Sequence, residues 1–304
     1  MSEDRIAVLE EKVKKLEEKL ERLESEVSKP LLILDHVTMQ FGGLIAVNDF
    51  TNHVNRGELL GLIGPNGAGK TTVFNVITGI YYPTKGRIIF DGIDITPFKP
   101  HQITHLGIAR TFQNIRLFYD LSVLENVLVA QHHEISNPDG DKILMMHGKP
   151  PKNTKKGWFW RAVSKLGYMW KEKEMVNRAK ELIERVGLSH VMYEKASALP
   201  YGEQRKLEIA RALATKPKLL LLDEPAAGMN PKETEDLMEF IKRVRDEFDV
   251  TILLIEHDMK VVMGICERII VMDYGKIIAE GTPKEIQTNP KVIEAYLGKE
   301  WENV

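Results

Sequence analysis

The chain has 304 residues, 28% of them charged, and a formal net charge of −2. That length suffices for one large domain or two modest ones, and the near-neutral balance argues against the basic footprint that non-specific nucleic-acid binding needs. Cys266 is the single cysteine, so no intrachain disulfide can form and a reducing compartment fits. No basic-then-apolar leader opens the chain. The most apolar long stretch, Thr251 to Met272, is broken by Glu256, His257, Asp258, Lys260, Glu267 and Arg268, so no segment is expected to span a bilayer.

In chain order, the first element is a heptad seam. Ile6, Val13, Leu20 and Val27 occupy one core position, and Leu9, Leu16 and Leu23 the other. β-Branched residues at a with leucine at d favour a parallel pair. Arg5, Lys12 and Lys19 at g face Glu10, Glu17 and Glu24 at e of a partner. The other reading is a lone charged helix, because about three heptads is marginal alone. A native or an appended segment fits either reading. Ser28-Lys29-Pro30 ends the helix. The expected division is a heptad helix over 1–29, one domain over 30–298 and a tail over 299–304.

From Leu31 the pattern turns β-like, with "LLILDHVTMQF", "GLIAVNDFTNHV" and "GRIIFDGIDI" parted by glycine turns. Between the last two lies "GLIGPNGAGKTTVFNVITG", residues 61–79, a glycine turn between an apolar strand and a helix. Gly64 to Thr71 fits G-x-x-x-x-G-K-[ST], the phosphate-binding loop. Its glycines let main-chain N–H groups converge on phosphate oxygens. Lys70 can reach the β- and γ-phosphates, and the Thr71 hydroxyl can bind Mg²⁺.

The stretch from about Leu121 to Ala198 is richer in helical spacing. "EMVNRAKELIERVGL" puts Met175, Val176, Ala179, Leu182, Ile183 and Val186 on one face and ends on Gly187 as a C-cap. A helical subdomain is expected over about 121–210. Within it, Gly148–Lys173 mixes eight lysines and arginines with Trp158, Phe159, Trp160, Tyr168 and Trp170. We read it as an insertion whose aromatics fold onto the helical part; a membrane interface or a partner groove is the alternative. Later, "KLLLLD", "TILLIE" and "RIIVMD" are short continuous apolar runs, the mark of parallel strands buried on both faces. The first ends on Asp223 and Glu224, two acids at the strand edge where α/β sheets bind ligands. Asp223 can hold Mg²⁺ through its water shell. Glu224 can orient or deprotonate an attacking water. The guanine-reading N-K-x-D is absent, so adenine is the expected base.

The motifs stand in an order that resembles ABC-transporter ATPase subunits, over about Leu31 to Gly298: the phosphate loop, Gln113 in "ARTFQNIRLF", "LPYGEQRKLEIARAL", "LLLLDEP" and His257 in "LLIEHD". The resemblance implies an α/β P-loop NTPase fold, with an N-terminal β subdomain, a RecA-like core and a helical subdomain. It implies ATP and Mg²⁺ as ligands. Gly64, Asn66, Gly67, Ala68, Gly69, Lys70, Thr71 and Thr72 would hold the phosphates. Phe41, 29 positions before Lys70, would stack on adenine. Gln113 would sense Mg²⁺ and the γ-phosphate. His257, with Glu224 and Lys70, would act on the γ-phosphate and the attacking water.

"LPYGEQ" departs from the family signature Leu-Ser-Gly-Gly-Gln at Pro200, Tyr201 and Glu203, while Gly202 remains. Pro200 lacks the hydroxyl that usually meets the partner's γ-phosphate. Tyr201, Gly202 and Glu203 would face that nucleotide from a helix starting near Glu203. Asn230 stands where many members have aspartate. "DEPAAGMNPKET", "GKIIAEGTP" and "NPKVIEAYLG" resemble the ATPase of bacterial and archaeal branched-chain amino-acid importers. That implies a head-to-tail dimer with a second copy or a paralogous ATPase, transmembrane permease subunits, an external solute-binding protein met indirectly, and no nucleic acid. It also implies a peripheral place on the cytoplasmic membrane face. Urea, amide or lipid systems are the related alternatives. A soluble non-transport ABC ATPase and a non-catalytic ATP-dependent dimerisation module are the rivals from other classes. Retention of Glu224 and His257 weighs against the last.

Overall fold

A computed structural model of the chain describes residues 29–131 and 173–297. The heptads through Val27, the tryptophan-rich stretch 148–172 and the tail 299–304 lie outside the described residues, with the expectations placed on them.

The elements begin with strands β1 (Leu32–Phe41), β2 (Leu44–Val54) and β3 (Leu59–Ile63), then helix α1 (Lys70–Ile77). Next come β4 (Lys85–Phe90), β5 (Ile93–Asp94), α2 (Pro100–Leu106), β6 (Ile108–Arg110) and α3 (Val123–Gln131). Helical turns over 173–185 form α4. They precede α5 (Tyr201–Leu213), β7 (Leu219–Asp223), α6 (Pro231–Phe248), β8 (Thr251–Ile255) and α7 (Met259–Ile265). The chain closes on β9 (Arg268–Asp273), β10 (Lys276–Gly281), α8 (Pro283–Gln287) and α9 (Pro290–Leu297).

The described residues form two compact units, one of 29–103, 249–253 and 266–297, the other of 104–248 and 254–265. In the first, an antiparallel sheet runs β2-β1-β4-β5. β1 buries Leu32, Leu34, Val37 and Met39, as expected of a strand with one face on a core. β3 is buried at all five positions, which is why "LLGLI" has no polar partner face. It pairs in parallel with β9, Leu60 opposite Arg268 and Ile63 opposite Val271. Its start is fixed by a charge cluster. Arg268 donates through Nε and Nη2 to the two oxygens of Glu58 at 2.7 and 2.9 Å, and through Nη1 to Asn52 Oδ1 at 3.1 Å. This two-pronged pairing sets the strand register at the end of β3 away from the glycine loop.

In the second unit β6 and β7 run parallel, Arg110 opposite Leu221, and β7 is wholly buried. α6 buries Leu237, Phe240, Ile241 and Val244, a stripe of helical spacing. Asn230 starts it: its Oδ1 accepts the N–H groups of Lys232 and Glu233 at 3.0 Å, while Glu233 accepts the N–H of Asn230. Asparagine and aspartate cap equally well, so the departure at Asn230 keeps this role. α4 buries Met175, Ala179, Leu182 and Ile183, with Val186 just past its end. It ends where the spacing predicts. Gly187 takes φ 79°, and Leu188 and Gly187 donate to the carbonyls of Ile183 and Glu184.

Candidate functional site

The phosphate-loop sequence sits between β3 and α1 in the first unit and is shaped by its neighbours' main chain. A Cβ on Gly64 (φ 150°) would lie 2.1 Å from the Met272 carbonyl oxygen, and one on Gly69 (φ 103°) 2.3 Å from that of Ala46. Only glycine fits either place. Gly69 is the N-cap of α1 and makes no side-chain cap bond; N–H groups at a helix start can serve an outside acceptor. Lys70 is buried, and its Nζ donates to the carbonyls of Gly64 at 2.6 Å and Pro65 at 3.0 Å. The ammonium is thus folded over the turn. Ala68 is buried inside the loop, Thr72 is half-buried, and Asn66, Gly67 and Thr71 are exposed. Phe41, at the end of β1, is 39% exposed. Its ring meets Tyr81 edge-on, centroids 5.1 Å apart.

The second unit gathers the acids. β7 delivers Asp223 and Glu224 from its buried run. Asp223 accepts from Arg110 Nη2 at 2.7 Å, with both side chains 7% exposed. Glu224 takes a left-handed conformation, φ 47°, while its N–H donates to Ile255 at 2.9 Å. Its Oε2 accepts from Gln113 Nε2 at 2.7 Å and lies 3.6 Å from His257 Nδ1. Gln113, Glu224 and His257, 144 positions apart at the extremes, are thereby brought together. Below them Glu256 is fully buried. It accepts the N–H of Ala226 at 2.7 Å and that of His257 at 3.1 Å. Burial pushes its carboxyl above the usual range, against the pull of those amides.

The signature segment differs from expectation in its start. α5 begins at Tyr201, not near Glu203, because Pro200 (φ −56°, ψ 154°) can precede a helix and occupies the N-cap. Tyr201 donates its hydroxyl to the Ala227 carbonyl at 2.9 Å, and Glu203 meets His190 Nε2 at 2.9 Å. Gly202 has open space where a Cβ would stand.

Sequence reasoning missed Arg110, Arg205, Glu208 and Glu256. A signal existed for the middle two. Opposite charges three apart, on the α5 face that also carries Ile209 and Ala212, imply a buried pair. Arg110 gave none, because its partner lies 113 residues away.

Comparison with known proteins adds to this geometry. The family profile described as ABC transporter matches residues 47–227, and one described as branched-chain amino acid ATP-binding cassette transporter matches 276–302. The chain is 46% identical over 273 residues to the high-affinity branched-chain amino acid transport ATP-binding protein LivG of Salmonella typhimurium, covering 90% of this chain and all of that one. The probable LivG of Archaeoglobus fulgidus is 35% identical, covering 88% and 95%. Among solved structures, the ADP conformation of MJ1267, an ATP-binding cassette of an ABC transporter, superposes with a TM-score of 0.72 at 33% identity, covering 89% of this chain and all of that one. The dimeric cassette MJ0796 gives 0.63 at 25% identity, covering 83% and 98%.

Proposed function

This chain belongs to the ABC transporter family, and from that premise we propose that it is the ATP-hydrolysing subunit of an importer of branched-chain amino acids. The convergence of Gln113 and His257 on the Glu224 carboxylate supports the catalytic reading. In it the phosphate loop binds the β- and γ-phosphates, with N–H groups of the turn and α1 as donors and Lys70 as the cation. The γ-phosphate replaces the Gly64 and Pro65 carbonyls at Nζ. Glu224 orients the attacking water and takes its proton. Gln113 and His257 hold the carboxylate. Phe41 presents an exposed ring to adenine, steadied at its edge by Tyr81. Thr71 and Asp223, each taken within its own unit, carry the hard oxygen donor that Mg²⁺ favours. When bound, the ion neutralises phosphate charge.

The cargo reading rests on the relatives' names and on the match over 276–302. No side chain of the site bears on an amino acid, so cargo choice belongs to the partners. Those are a second cassette placed head to tail, membrane permeases, and through them an external binding protein. Among the described residues no helix is long and apolar enough to cross a membrane, and attachment to permeases would place the chain on the inner membrane face. Purification from membranes, with identification of the subunits that accompany the chain and leucine-uptake assays on the complex, tests the proposal. Permeases that carry another cargo would overturn the substrate. A complex without ATP turnover would overturn the motor.

A further inference from the structure

A buried ion pair on α5 has no part in the site built so far. Arg205 and Glu208 are 0% and 5% exposed, with Arg205 Nη1 2.7 Å from Glu208 Oε2. Charges sealed this far from water gain little stability from their attraction alone, because desolvation opposes it. Most of their hydrogen bonds go to the main chain of the segment that presents Gln113. Arg205 donates through Nη1 to the Phe112 carbonyl at 2.8 Å and through Nη2 to the Gln113 carbonyl at 2.9 Å. Glu208 Oε1 accepts the N–H of Arg116 at 3.2 Å and that of Phe112 at 3.4 Å. The planar fork of a guanidinium serves two successive carbonyls in a way an ammonium cannot.

The contacts also close a ring. Arg205 Nη2 reaches the Tyr201 hydroxyl at 3.2 Å, and Tyr201 donates to Ala227, three residues past Glu224. Glu224 in turn accepts from Gln113. We propose that Arg205, braced by Glu208 and Tyr201, is a positioning residue for hydrolysis. It fixes the Gln113 main chain so that the carboxamide reaches Glu224, and it ties the first turn of α5 to the segment after Glu224. Tyr201, a large residue at a signature glycine position, supplies the hydroxyl this link requires. The proposal rests on the roles given above to Gln113 and Glu224.

The test uses the full-length protein with two variants. R205M/E208L removes both charges of the pair at once, so neither is left buried without the other. R205K keeps the charge and loses the fork. ATP turnover, KM for ATP and amide exchange at Phe112 and Arg116 are measured. A displaced supporting group can cost up to about a hundredfold in rate, so kcat of the double variant is expected to fall about tenfold to a hundredfold. KM for ATP should stay within about twofold, because the phosphate loop is untouched, and both amides should exchange faster. R205K should fall between, and it carries the test if the double variant does not fold. Turnover within about twofold of wild type in the folded variants overturns the proposal, whatever the exchange does. A wild-type protein without turnover would sink the role of Glu224 instead. Exchange at Phe112 and Arg116 then decides by itself whether the pair positions this segment.

Discussion

The phosphate loop and the acid cluster are built by opposite means. The loop is one contiguous run whose shape is set by main-chain neighbours, the carbonyls of Met272 and Ala46 leaving no room for side chains at Gly64 and Gly69. The acid cluster is assembled from four separated segments, around residues 110–116, 201–208, 223–227 and 255–257, joined mainly by side-chain hydrogen bonds. A main-chain site is spoiled by adding atoms. A side-chain site is spoiled by removing them, and the fold survives.

Four substitutions would break or sharpen that contrast. Glu224→Gln keeps the size of the side chain and loses the base, so turnover is expected to fall by roughly 10²- to 10⁴-fold while ATP still binds. Calorimetry beside an ATPase assay checks both; near-normal hydrolysis would remove Glu224 from the chemistry. Gly64→Ala should act on the fold instead, costing about 2–4 kcal/mol through its clash with Met272. An unchanged melting temperature would show that the loop yields more readily than its neighbours allow. Lys70→Ala removes a charge-assisted contact worth about 1.5–3 kcal/mol, so ATP affinity should drop about tenfold to a hundredfold. Unaltered affinity would assign the binding to main-chain donors alone.

The smallest effect is one of pH. Glu256 has its carboxyl raised in the fold above an ordinary value of about 4.5, mainly by burial. The native state therefore holds this proton over a range where the unfolded chain has lost it. Stability falls as pH rises from the unfolded value through the folded one, by at most about 1.4 kcal/mol per pH unit for one proton, and then levels. Glu256→Gln should remove that fall. Denaturant unfolding of both proteins from pH 4 upward measures it, and parallel curves would show that Glu256 does not titrate there.

The same contrast explains what the sequence disclosed. A main-chain site is written in consecutive letters, so Gly64 to Thr71 was legible without a fold. So were the buried strand ending at Asp223 and the end of α4 at Gly187, whereas the strand before the loop was legible only as the apolar run before Gly61 and continues to Ile63. Gln113 and His257 came from resemblance, not from spacing. Their meeting at Glu224 depends on a parallel sheet order that no local pattern encodes. Arg110 paired with Asp223 and Glu256 accepting from Ala226 were silent for the same reason: their partners are fixed only once strands and turns are stacked. The start of α5 was misplaced by two residues because Pro200 was weighed for the hydroxyl it lacks, and not as a residue that can sit just before a helix.

Glu224 itself occupies a backbone region that disfavours any Cβ, with φ at 47°. Glycine there would relieve a strain of about 1 kcal/mol and forfeit the carboxylate. Durability and chemistry thus pull this position in different directions. A population of variants screened only for survival after heating should drift to glycine at this position, whereas, on the role proposed for Glu224, a screen for ATP consumption would hold the strained glutamate in place.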